Sequence, residues 1–138
     1  MQLRSIIGWV LAVFVLGGLP VMVAAQMPNY TPVTDQRLVN PEPENWLSTR
    51  GNYSGWGYSP LDKITPDNVK KLVPVWTIST GVIEGHESPP IVNNGVMFVT
   101  TPQNRVLALD AQSGDLLWMY KRELPEDLFQ LHPTNRVV

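Results

Sequence analysis

Short apolar runs broken by turn residues recur between Pro90 and Tyr120. Pro90-Ile91-Val92 and Val96-Met97-Phe98-Val99-Thr100 flank Asn93-Asn94-Gly95. Asn94-Gly95 is the dipeptide that tolerates the positive φ of a tight hairpin, so the first pair reads as strand, turn and strand. Arg105 to Leu109 and Leu116 to Tyr120 make a second pair around Asp110-Ala111-Gln112-Ser113-Gly114-Asp115. In that turn the Asp and Ser side chains can cap backbone N–H groups while Gly114 takes a left-handed conformation. Upstream, Leu72 to Ser79 alternates around Trp76, but Pro74 demotes it to an edge strand or one that starts late. Thr65-Pro66-Asp67-Asn68 predicts a short helix to about Leu72, with Thr65 as its side-chain cap and Pro66 at its first position. Asn45-Trp46-Leu47 opens a stretch dense in glycines and aromatics, in which tight turns and ring burial go together. Before it, 26–44 is polar and broken by Pro28, Pro32, Pro41 and Pro43, and reads as an extended lead-in.

The apolar run at the start of the chain has a different character. Arg4 supplies a positive region, Ile6 to Leu19 an apolar core and Val23-Ala24-Ala25 a small-residue cleavage site, so residues 1–25 read as a signal peptide. A retained membrane anchor is the alternative, and cleavage is favoured because Gly17, Gly18 and Pro20 end the apolar core early. An uncleaved signal would be the chain's one route to a membrane. Removing residues 1–25 takes the net charge from −2 to about −3. That mildly acidic, well-mixed balance lacks the basic patch a nucleic-acid partner requires. The chain has no cysteine, so an exported product gains nothing from disulfides and depends on packing.

Four short strands in succession have the makeup of one β-propeller blade. Ala108-x-Asp110-x-x-Ser113-Gly114-x-x-x-Trp118 resembles the tryptophan-docking motif of propellers whose blades lock together through Trp rings. There a small Ala lets a neighbouring ring lie on the sheet, Asp and Ser hold the turn, Gly bends it, and the Trp projects across the blade interface. Trp76, about one blade length of ~40 residues upstream of Trp118, takes the same position in a preceding blade.

Three further stretches narrow the likeness. Asn45-Trp46, Gly51 and Tyr58-Ser59-Pro60-Leu61 resemble the opening segment of the pyrroloquinoline-quinone-dependent (quinoprotein) alcohol dehydrogenases. Gly85-His86-Glu87-Ser88-x-Pro90 resembles that family's first cofactor loop, and His132-Pro133-Thr134-Asn135-Arg136 its second. The resemblance implies an all-β fold, with residues 45–138 as the opening blades of an eight-bladed propeller that is incomplete in this chain. It implies a cofactor, pyrroloquinoline quinone (PQQ), with Glu87 hydrogen-bonding the quinone and Arg136 beside its oxygens. A guanidinium with a fork of donors suits charge developing on a quinone oxygen, and a carboxylate on a Gly-flanked loop can accept from cofactor N–H or O–H groups.

It implies also a calcium ion and a catalytic aspartate, both on later blades, with no position in this sequence onto which the ligands or the base can be carried. The implied activity is periplasmic oxidation of an alcohol, with electrons passed to a cytochrome c and the hard chemistry carried by the cofactor. Two departures stand out. Many members carry adjacent cysteines where this chain has Gln130 and Leu131, and the pattern Asn-Arg-Gly gives way here to Arg136-Val137. The chain is accordingly read as an N-terminal fragment, truncated or frame-shifted and inactive alone. His86 and His132, far apart and without cysteine partners, read as loop hydrogen-bonders rather than metal ligands. A non-enzymatic periplasmic propeller scaffold is the alternative; it accounts for Ala108 to Trp118 but leaves the Glu87 and Arg136 loops unexplained.

Overall fold

The computed structural model describes residues 30–129, 131 and 134–136; the segment read as a signal peptide, together with Gln130 and His132, lies outside them. Its centre is a four-stranded antiparallel meander in the order β1-β2-β3-β4, built from β1 (Ile91–Asn93), β2 (Val96–Thr101), β3 (Arg105–Asp110) and β4 (Leu116–Lys121). The first hairpin closes as its dipeptide requires, with Asn94 at φ 50° and Gly95 at φ 77°. The last closes on Asp110, whose Oδ1 accepts from Gln112 N at 2.9 Å and Ser113 N at 2.8 Å. Those two N–H groups, Ser113's foremost, hold the Asp110 carboxyl below the usual carboxylate range. Gly95 O accepts from Ala111 N at 2.8 Å, which ties the two turns side by side.

Burial is concentrated on β3. Leu107, Ala108 and Leu109 are 5%, 0% and 2% exposed, so both faces of that strand are covered. Ala108 stands in register between Phe98 and Trp118, and those two rings meet across it, centroids 6.0 Å apart and tilted by 53°. The small side chain therefore makes room for an aromatic pair within its own sheet. β4 bulges where the register shifts between Ala108 and Leu109, and it is the exposed edge, with Leu116, Met119 and Tyr120 all in solvent. The opposite edge is partly covered: Trp46 and Val92 exchange two backbone hydrogen bonds of 2.9 Å, and Leu47 is buried beside them. Gly51, at φ +89°, sits where a Cβ would come within 3.2 Å of the Trp46 ring.

Three expectations are corrected. The lead-in is not wholly extended, since Asp35–Val39 forms a short helix, α1, capped by Thr34. It buries no residue of its own and is held by Arg37 instead. That guanidinium binds Glu42 through Nε (2.9 Å), Thr31 O and Pro32 O (both 3.0 Å) and Asn93 Oδ1 (3.0 Å). The helix expected from Thr65 is a single 3₁₀ turn, Val69–Lys71. Asn68 rather than Thr65 stands at its N-cap position and makes no side-chain cap; its Oδ1 reaches back instead to accept from Thr65 N at 2.8 Å. Leu72 to Ser79 forms no strand, because Pro74 removes a donor and Val73 and Val75 point into solvent with nothing to pair against. Among the described residues there is one sheet, and Trp76 belongs to irregular chain packed on it.

The Arg37 cluster yields a pH prediction. Hydrogen bonds, first from Arg37 and then from a backbone N–H and Asn45, lower the Glu42 carboxyl from 4.5 to about 2. A carboxyl depressed in the folded state adds stability that is full above its unfolded value and is lost as pH falls towards its folded one. Thermal melts should therefore lose stability progressively between pH 4.5 and about 2, and Glu42→Gln should flatten that part of the profile. An unchanged profile in the variant would assign the acid transition to other groups.

Candidate cofactor-binding site

The first candidate loop follows Trp76 and is organised by its own side chains. His86 Nδ1 lies 3.0 Å from Glu84 O, and His86 Nε2 lies 2.9 Å from Thr80 Oγ1. A carbonyl can only accept, so Nδ1 carries the proton, and in the neutral ring Nε2 accepts from the Thr80 hydroxyl. His86 is thus a loop hydrogen-bonder, as its isolation from other ligand-type residues implies; His132 lies outside the described residues. The loop is joined to the turn between β2 and β3. Gln103 Nε2 donates to Glu84 Oε1 and Arg105 Nη1 to Thr80 O, both at 3.5 Å, while Arg105 Nη2 donates to Gln103 Oε1 at 2.8 Å.

The two residues singled out for the cofactor meet. Arg136 Nε donates to Glu87 Oε2 at 2.8 Å across 49 residues of sequence, with side chains 74% and 48% exposed. Neither the other guanidinium nitrogens nor Glu87 Oε1 has a protein partner among the described residues. The pair therefore leaves two donor nitrogens, Nη1 and Nη2, and an acceptor oxygen open at one point, with a positive and a negative group side by side. Such a pair can donate to and accept from a polar ligand at the same point. Sequence reasoning included Asn135 in the second loop but gave it no role; it precedes Arg136 and donates from Nδ2 to Thr101 O at 2.7 Å. The motif that contains it carries no signal of a contact 34 residues back in sequence.

A cleft of about 170 Å³ lies elsewhere, between Pro41, Pro43, Trp46, Tyr58 and Pro60. Its one carboxylate, Glu42, is already bound by Arg37 and Asn45, so it offers less chemistry than the Glu87–Arg136 surface. Among the described residues no three or more His, Asp or Glu gather to hold a metal ion. No helix among them is long and apolar enough to cross a membrane.

An antiparallel four-stranded meander with an Asp-capped, glycine-bent closing turn has the makeup of a β-propeller blade. The chain belongs to the glucose/ethanol/alcohol dehydrogenase family that uses PQQ, whose β-propeller domain matches residues 46–138 and so includes both Glu87 and Arg136. It is 42% identical over 86 residues to the dehydrogenase subunit of a quinone alcohol dehydrogenase from Gluconobacter oxydans, which covers 62% of this chain and 11% of that protein. It is 40% identical over 99 residues to subunit 1 of a cytochrome c methanol dehydrogenase from Paracoccus denitrificans (70% of this chain, 15% of that one). Among solved structures, the quinohemoprotein alcohol dehydrogenase ADHIIG of Pseudomonas putida superposes with a TM-score of 0.64 at 39% identity, over 67% of this chain and 14% of that one. The chain spans between 11% and 16% of the length of the curated relatives it matches.

Proposed function

We propose that Glu87 and Arg136 form part of the wall of a PQQ site in a periplasmic dehydrogenase that oxidises alcohols and passes electrons to a cytochrome c. The observation that carries this reading is the convergence of the two loops on one ion pair, 2.8 Å long and open to solvent. Arg136 would donate from its outward nitrogens to cofactor oxygens, and Glu87 would accept from a cofactor N–H while holding the guanidinium at a fixed angle. When bound, PQQ supplies the acceptor for the electrons leaving the alcohol. Calcium as the accompanying Lewis acid, a complete ring of eight blades, and docking of Trp118 against a neighbouring blade belong to the same proposal, with the metal ligands and the catalytic base supplied from outside this chain. The signal-like segment at residues 1–25 supports export, and the cytochrome c linkage of the Paracoccus relative supports the electron acceptor.

Titration of the 138-residue chain with PQQ, followed by quenching of tryptophan fluorescence, tests the site. Saturable binding is expected, weakened about 10-fold in Arg136→Ala, the lower end of the range for a charge-assisted hydrogen bond because the site is open to water. Absence of saturable binding by the wild-type chain would overturn the reading. Supplied with PQQ and calcium, the same chain is expected to show no alcohol-dependent dye reduction; turnover would show that it already contains a base and a metal site.

A further inference from the structure

The Glu87–Arg136 pair is short, but it does not explain its own geometry. An ion pair with side chains 74% and 48% exposed contributes too little to close a loop of 49 residues against chain entropy. Something else must bring the second loop to the first. The contact that can do so is the 2.7 Å bond from Asn135 Nδ2 to Thr101 O. Thr101 is fully buried at the end of β2, so the acceptor is rigid, and Asn135 is itself half-buried. On the other side, the first loop reaches the same turn through Gln103 and Arg105. That turn is unusual in its own right, since Gln103 and Asn104 are successive non-glycine residues with φ of 65° and 56°. Side chains rarely adopt that backbone unless surrounding contacts over-determine it.

We propose that the β2–β3 turn, Thr101 to Arg105, is the common anchor of both loops, and that Asn135 is the positioning residue that sets Arg136 against Glu87. The inference rests on the PQQ reading for its functional meaning, but the geometry is testable without any ligand. In the ¹⁵N-labelled full chain, the Arg136 Nε–H resonance should be slowed in solvent exchange and should shift in Glu87→Gln, which identifies the pair. Asn135→Asp keeps the side chain's shape and removes the donor; it should return that resonance to the position and exchange rate of a free arginine, while the β2 and β3 amides stay as in the wild type. Gln103→Ala should loosen it in part. A wild-type resonance that already exchanges freely, or one unmoved by Asn135→Asp, overturns the proposal.

PQQ titration separates this proposal from the functional reading. Asn135→Asp should weaken binding by 5- to 10-fold, approaching Arg136→Ala, and the double variant should bind no worse than Arg136→Ala alone. Fully additive losses would mean that Asn135 does not act through Arg136. If the resonance behaves as expected and the wild-type chain binds no PQQ, the positioning role stands and the cofactor assignment falls.

Discussion

Gly114→Ala should destabilise the chain more than any other single-methyl insertion and should release Trp76 from the sheet. Two independent costs meet at this position. Gly114 sits at φ +79°, where an L side chain is disfavoured by about 1–2 kcal/mol. A Cβ there would also lie 2.5 Å from Trp76 Cδ2, 2.7 Å from Cε3 and 2.8 Å from Cγ, so the indole must move. That intrusion adds a further cost of about 1–3 kcal/mol. The indole is not free to slide, because its Nε1 donates to Ala111 O at 3.2 Å in the same turn. Gly95→Ala provides the control: its φ is +77°, but nothing lies within 4 Å of the added methyl. It should show the conformational cost alone. Thermal melts followed by tryptophan fluorescence distinguish the two, with a red shift of Trp76 emission expected only in Gly114→Ala. Equal losses in both variants would mean that Trp76 does not rest on Gly114 in solution.

What the sequence disclosed and what it concealed divide along physical lines. Both hairpins were legible because their turns are local: Asn94-Gly95 needs two positive φ values, and Asp110 accepts from both Ser113 N and Gly114 N within five residues. The docked indole was half legible. Trp76 announced itself as a blade-spaced aromatic, yet its partner is the glycine 38 positions on, and the strand expected around it never forms for want of a neighbour. The lead-in was misread because its anchor is polar. Arg37 holds α1 against Asn93 across 56 residues, and no hydrophobic pattern marks such a contact. Glu87 and Arg136 were named through the family motifs alone. Their meeting depends on Asn135 and on a turn whose left-handed backbone no residue type in Pro102-Gln103-Asn104 demands.

The second large effect concerns two leucines facing each other across β3 and β4. Leu109 and Leu116 are cross-strand partners in register, yet Leu109 is 2% exposed and Leu116 51%. Truncating the first removes three carbons from a filled interior and leaves a cavity, an expected loss of about 2–5 kcal/mol. Truncating the second removes the same atoms from a surface already half in water, and should cost under about 1 kcal/mol. The difference between Leu109→Ala and Leu116→Ala, read from urea unfolding midpoints at constant slope, therefore reports what covers β4. Where the chain is a monomer with an open edge, the gap is wide. If Leu116→Ala proves as costly as Leu109→Ala, then the face carrying Leu116 and Met119 is covered in solution, and the cost should then fall on dilution as self-paired copies separate. Blades of a propeller pack on one another through the faces of their sheets, so this comparison asks directly whether the face shared by Leu109 and Leu116 is covered.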